Sequence, residues 1–281
     1  LETALVKAAG ILGDAEGMPH VTALVADGRP YHEAGASEAQ ELAAMLATLV
    51  AYLRACEAGG RAPAAALPKI AIGLAADADL FLTIAKLRAA RRLVTRVAES
   101  CGAAKVAALV PLTVSTSARM LAARDPWVNI LRTTIATAGA AFGGASAMTV
   151  LPFSWALGQP DGFARRVARN THLVLQEESS LARVADPAGG SFYMERLTDD
   201  LAKAAWALFQ DIEGKGGMAT VLQDGSWQAK IGETAAARAK RIATGREQLT
   251  GVSAFPLLGD DGVKTVPHPA APAVVAGKTS V

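Results

Sequence analysis

Residues 21–60 read VTALVADGRPYHEAGASEAQELAAMLATLVAYLRACEAGG, and this stretch decides the fold class. Val21 to Ala26 is a short, Val-rich apolar run closed by Asp27-Gly28, the pattern of a buried strand followed by a turn. A helix follows from Ser37. Ser37 and Gln40 form a capping box, and Leu42, Met45, Leu46, Leu49 and Leu53 recur at helical spacing until Gly59-Gly60 stops them. Strand and helix together make a unit that the chain then repeats.

Ile70 to Leu74 reads as the next strand and Leu80 to about Glu99 as its helix. Val106 to Leu112 is the third strand, with a helix after Asp125-Pro126, and Met148 to Phe153 pairs with a helix from Phe163 to about Glu178. Four such units in a row predict a parallel sheet covered by helices. A closed (β/α)8 barrel needs twice as many strands, so the expected fold is α/β, the second half of a TIM-type barrel plus C-terminal helices. Such a half should expose strand edges and an apolar interior, and should need its missing half or a partner to be soluble.

Beyond the barrel, a helix is expected to open at Thr198, with Asp199 and Asp200 at its positive end, Leu201, Leu208 and Ile212 on one face, and Gly216-Gly217 as its stop. A further Ala- and Arg-rich helix spans roughly Gln228 to Thr244, and from Gly262 the chain turns to Pro, Ala, Val and Gly without period. The organisation read from this is residues 1–20 as an N-terminal helix or remnant, 21–195 as four β/α units, 196–261 as a helical extension and 262–281 as a linker or tail. The chain begins at Leu1, and the amphipathic LETALVKAAGIL starts without a cap, which reads as loss of an N-terminal part.

Composition narrows the function classes. The 281 residues suffice for one large domain or two modest ones. Charges nearly cancel, 28 basic against 26 acidic, and are interleaved without a basic stripe, so nothing points to nucleic acid. Cys56 and Cys101 lack metal-type spacing, which fits structural thiols in a reducing, cytoplasmic setting. No stretch of about 18 residues is continuously apolar, so no membrane-spanning helix is expected, and no signal peptide is legible.

The run Phe163 to Gly190 carries a resemblance. Ala168 to Thr171 (Ala-Arg-Asn-Thr), Gln176 to Glu178 (Gln-Glu-Glu) and Asp186 to Ser191 (Asp-Pro-Ala-Gly-Gly-Ser) stand in the order and spacing of the methylmalonyl-CoA mutase family, which the chain resembles. Tyr31 to Ala36, Ala85 to Arg91, Asp125-Pro126-Trp127 through Arg132-Thr133, and Gly216-Gly217-Met218 fit the same family in order. The likeness runs from about Val21 to about Gly251.

The resemblance implies a barrel that, in catalytic members, rearranges the carbon skeleton of an acyl-CoA by adenosylcobalamin radical chemistry, with the cofactor supplying the radical and the barrel excluding water. Catalytic members hold the cobalamin on a C-terminal domain through an Asp-x-His-x-x-Gly motif. None of His20, His32, His172 and His268 has an Asp two residues before it. They also carry a histidine for the substrate thioester in a His-x-Gln-Thr-Ser-Gly-Trp segment; ungapped counting back from Asp125 puts Thr113 there, followed by Val114-Ser115-Thr116-Ser117-Ala118-Arg119. Threonine can donate a hydrogen bond but carries no charge near neutral pH. His172 replaces the family's usual glutamine, at a position implied to lie near the cofactor. Thr113, Ser115, Thr116 and His172 are therefore read as vestigial pocket positions, with no catalytic, cofactor-binding or metal residue in this chain.

Other motifs have plainer readings beside functional ones. His32, in a strand-to-helix loop, reads as a pocket remnant or a loop-fixing hydrogen-bonder. Glu177 and Glu178 point about 100 degrees apart on a helix and suit capping or salt bridges better than paired acid–base work. Arg88, Arg91 and Arg92 read as a solvated face before a phosphate site, and Gly143-Gly144 and Gly189-Gly190 as turns before phosphate cradles.

Within the family, Trp127-Val128-Asn129, Val150-Leu151-Pro152-Phe153 and Ala156-Leu157-Gly158 resemble the small-subunit branch. That implies a non-catalytic subunit paired with a homologous catalytic large subunit, acyl-CoA and adenosylcobalamin belonging to the complex and no cofactor to this chain. Two alternatives remain: the substrate-barrel fragment of an active acyl-CoA mutase, and a stand-alone binding protein that has lost mutase chemistry.

Overall fold

The computed structural model describes residues 2–15, 17–18, 20–259 and 262–269. Strands β1 (Leu24–Asp27), β2 (Ile70–Ala76), β3 (Leu112–Thr116) and β4 (Ala147–Thr149) form one parallel sheet in the order β1-β2-β3-β4. Helix α1 (Glu2–Asp14) precedes the sheet. Short α2 (Arg29–Glu33) and long α3 (Glu38–Ala58) follow β1; one-turn α4 (Pro63–Ala66) leads into β2, and α5 (Leu80–Ser100) follows it. Helix α6 (Val128–Phe142) follows β3, and α7 (Gly162–Leu173) follows β4. Sequential parallel strands with a helix after each are the arc of a TIM-type barrel.

Local chemistry explains the strongest elements. Ser37 Oγ accepts from Gln40 N while Gln40 Oε1 accepts from Ser37 N, the expected capping box, and α3 buries Leu42, Met45, Leu46, Leu49 and Leu53. Asp79 caps α5 through Leu82 N, and Asp161 caps α7 through Ala164 N. Along β2, Ile70, Ile72, Leu74 and Ala76 join the core under the helices. By alternation Ala71, Gly73 and Ala75 face the other way.

Several expectations need correcting. The third strand is not Val106 to Leu112: residues Ala104–Leu109 form a 3-10 turn, and β3 starts only at Leu112. Pro111 has no N–H for a ladder, though its carbonyl accepts from Ile72 N at 2.8 Å. The fourth strand stops at Thr149 because Leu151 N is taken by Thr116 Oγ1 at 2.8 Å, outside the ladder. Past Leu173, Val174–Glu178 continue as a π-helical turn. The helix expected to open at Thr198 is α8 (Phe192–Gly214), capped by Ser191, so Asp199 and Asp200 lie beyond its first turn. Its residues Ala205, Phe209 and Ile212 belong to the main core, and the 195/196 boundary falls inside it.

The sheet's open face is not apolar either. Its rows, read across the register, are Val25–Ala71, Asp27–Gly73–Thr113–Ala147 and Ala75–Ser115–Thr149. Small and polar side chains dominate it. A Cβ on Gly73 would lie 2.8 Å from Asp27 Oδ1, so only glycine lets β1 and β2 carry that carboxylate between them.

Helices α9 (Met218–Gln223) and α10 (Ser226–Ala243) complete the chain's helical end, and Gln40 Nε2 donates to Lys230 O to hold α10 on α3. Residues 265–268 run along the loop after β4: Gln159 N donates to Val266 O, Thr265 Oγ1 to Leu157 O, and the His268 ring packs at a tilt against Trp155. Residues 270–281 of the expected tail lie outside the described residues. Among the described residues no helix is long and apolar enough to cross a membrane.

Candidate functional site

Because the strands are parallel, their C-terminal ends lie along one rim, where the loops after β1, β2 and β3 meet. At that rim lies a buried charged cluster. Helix α2 delivers His32, the first turn of α3 delivers Glu41, the end of β2 delivers Asp77, α5 delivers Lys86, and the residues after β3 deliver Ser117 and Arg119.

His32 is fully buried, its Nε2 paired with Ser117 Oγ at 2.9 Å and 3.7 Å from Asp77 Oδ2. Its Nδ1 lies 3.2 Å from Glu41 Oε2, a charge contact without the alignment of a hydrogen bond. Glu41, fully buried, accepts from Ala75 N on Oε1 and from Lys86 Nζ on Oε2, both at 2.7 Å. Lys86 is 1% exposed. Burial alone would raise the Glu41 pKa, but the Lys86 charge and the His32 contact overcome it and hold the carboxyl at about 2. Asp77 is partly buried, which alone would raise its pKa, yet it is held below the usual carboxylate range by His32, a bond from Ala78 N, Arg119 and Lys86.

Arg119 and Glu33 lock the loop over this cluster. Arg119 Nη1 donates to His32 O at 2.7 Å and Ala36 O at 2.8 Å, and Glu33 accepts from the N–H groups of Ala118 and Arg119, both at 2.9 Å. Glu41 and Glu33 each accept two hydrogen bonds, Asp77 Oδ2 is held by ion-pair contacts with Arg119 Nε at 3.5 Å and His32 Nε2 at 3.7 Å, and His32 is sealed from solvent. The arrangement can fix loop geometry: His32 and Glu41 are closed off from any substrate, and the exposed Glu33 spends both carboxylate oxygens on backbone N–H groups. Of the two readings of His32, the loop-fixing one matches this geometry.

The residues singled out from the sequence are not gathered in one place. Thr113 and Ser115 lie on the open face of β3, and Thr113 Oγ1 donates to Ile72 O at 2.8 Å. Thr116 is buried on the helix side, bound to Leu151 N. His172 lies in the helix layer, lining a groove between α5, the end of α6 and residues 175–187, and burial there lowers its pKa. Glu177 is exposed and accepts from Gln176. Arg88 is largely buried, bridging to Glu195 and Asp186, whereas Arg92 is exposed as a solvated face would be, though it too bridges to Glu195. Arg91 binds Val110 O, Gly144 O and Ser146 Oγ. Gly144 and Gly190 have positive φ, the turn role.

Glu41 and Lys86 were not singled out in the sequence, yet a signal exists. Lys86 sits in Thr83-Ile84-Ala85-Lys86-Leu87, and its helical neighbours at three and four residues are Leu82, Thr83, Ala89 and Ala90, with no charge among them. A lone Lys on such a face must find a buried partner. Which partner is set by packing α5 against α3, 45 residues away in sequence.

Comparison with known proteins places these features. A profile described as methylmalonyl-CoA mutase matches residues 13–271. A methylmalonyl-CoA mutase small subunit of Streptomyces virginiae is 55% identical over 257 residues, covering 92% of this chain and 42% of that protein. The small subunit of Propionibacterium freudenreichii subsp. shermanii is 43% identical over 269 residues, 94% of this chain and 42% of that protein, and the methylmalonyl-CoA mutase of Escherichia coli is 36% identical over 245 residues, 87% and 34%. The chain thus spans less than half the length of the curated relatives it matches. With the profile and these relatives covering nearly all of it, the chain belongs to the methylmalonyl-CoA mutase family.

Proposed function

We propose that this chain is barrel sequence of a non-catalytic small subunit, whose role is to support a homologous catalytic large subunit in an adenosylcobalamin-dependent assembly interconverting methylmalonyl-CoA and succinyl-CoA. The observation that carries this reading is Thr113. It stands where the resemblance puts the thioester-binding histidine of catalytic members, and its hydroxyl hydrogen is spent on Ile72 O of the neighbouring strand at 2.8 Å. A side chain without charge, whose only donor is already used, polarises no thioester. On this reading Thr113 and Ser115 are vestigial pocket positions on the open face, and Thr116 and His172 stand apart from them.

The histidines do not fit a lower axial ligand for cobalamin. His32 is sealed between Ser117 and Glu41, His268 Nε2 contacts Trp155 O at 2.8 Å, and neither His20 nor His172 follows an Asp at the required spacing. On the proposed reading the cofactor belongs to the partner's side of the assembly, and no histidine of this stretch serves as its ligand. The small-subunit names of the Streptomyces and Propionibacterium proteins support a larger partner. Free Cys56 and Cys101 support a cytoplasmic location.

The test is isothermal titration of methylmalonyl-CoA and adenosylcobalamin into the parent protein, alone and with its large subunit. No binding alone, with binding and turnover in the mixture, is expected. Thr113→Val in the mixture should leave turnover within about twofold, since a hydroxyl outside the chemistry contributes nothing to the barrier. Substrate binding by the parent alone, or turnover lost with Thr113→Val, overturns the reading.

A further inference from the structure

The groove that holds His172 lies outside the barrel and has no part in the reading above. It encloses about 750 Å³ between α5, α6 and residues 175–187. Its charges do not cancel. Arg88 is met by Asp186 at 3.0 Å and Glu195 at 2.5 Å, and Arg92 by Glu195 at 2.7 Å. Arg91, on the same groove wall, has only neutral acceptors: Val110 O at 3.0 Å, Gly144 O at 3.0 Å and Ser146 Oγ at 3.1 Å. Burial lowers its pKa with no carboxylate to offset the effect. Those three bonds leave part of the five-donor guanidinium unused.

Beside this uncompensated cation the wall is apolar, formed by Phe142, Met148, Leu175 and the 60%-exposed Val184. Among the described residues the only acidic side chain lining the groove is Asp186, already on Arg88. A fixed positive charge in a partly desolvated groove with an apolar wall favours an anion that carries its own apolar body. The geometry points to a binding site for a small organic anion, a carboxylate or phosphate on a short hydrocarbon, seated on Arg91 in the groove between α5, α6 and residues 175–187.

The full chain should be titrated calorimetrically with hexanoate and hexyl phosphate, and with neutral hexanamide as the shape control. Saturable binding of the anions, at least about tenfold tighter than hexanamide, is expected from one charge-assisted contact. Arg91→Gln should abolish that preference. Because Arg91 also holds Val110 and Gly144, Gln176→Glu serves as the second variant: it adds a negative charge at an exposed lining position without touching those bonds, and should weaken hexanoate about tenfold while leaving hexanamide unchanged. Equal affinity for hexanoate and hexanamide, or anion binding unchanged in both variants, overturns the inference.

Discussion

Replacing Lys86 by Met tests whether the buried rim cluster stabilises the fold. The side chain is nearly isosteric, 1% exposed, and its Nζ lies 2.7 Å from Glu41 Oε2. Loss of the ammonium leaves a carboxylate buried with His32 as its remaining side-chain partner. Removing one member of a buried pair costs about 3–5 kcal/mol. The depression of Glu41 from 4.5 to about 2, to which Lys86 and His32 both contribute against burial, is of the same order, about 3 kcal/mol for the carboxyl's whole surroundings. At a few degrees per kcal/mol for a chain of this size, the midpoint should fall by roughly 10 °C. Urea titration at pH 7 followed by tryptophan fluorescence reads the free-energy loss, and thermal unfolding followed by the same signal reads the midpoint.

The sign of the pH dependence follows from the same group. Glu41 has a depressed folded pKa, so its stabilisation is complete above the unfolded value near 4.5 and is lost as pH falls toward about 2. Lys86→Met should flatten that acid limb. In Glu41→Gln/Lys86→Met the glutamine still accepts from Ala75 N and no charge is orphaned, so the double variant should recover about 2 kcal/mol over the single one. A Lys86→Met protein within about 0.5 kcal/mol of the parent, or a double variant no better than the single, refutes the reasoning.

Two further outcomes follow from the structure. Asn129 is fully buried at the start of α6, with Oδ1 accepting from Ala122 N and Nδ2 donating to Ala122 O and Phe153 O; Asn129→Ala should cost about 2–4 kcal/mol in urea unfolding by stranding these groups. Gly158 has φ of 153° and its Cβ position is occupied by the Val266 carbonyl, so Gly158→Ala should release residues 265–268 from the loop after β4, seen as faster hydrogen exchange at Gln159 and earlier proteolysis around Thr265 with the core midpoint unchanged.

Much of this was legible without coordinates, because the signals are local. A capping box acts over three residues, so Ser37 and Gln40 announce α3 on their own. Strand and helix periods differ, so four alternating units predicted the parallel sheet. The errors came where a local signal was outranked. Apolar residues before Pro111 looked like a strand, but the ladder starts after the residue that cannot donate. Thr198-Asp199-Asp200 looked like a helix start, but Ser191 caps seven residues earlier.

The sequence by itself determined the α/β class, the order of the strand–helix units and the family. Only the tertiary structure decided which charges are buried together. Glu41 and Lys86 stand 45 residues apart and Arg88 and Asp186 stand 98 apart, and periodicity reports how one element faces its neighbours, not which residue of another element it meets. Burial then sets what those meetings are worth, since the same lysine and glutamate in water would contribute almost nothing.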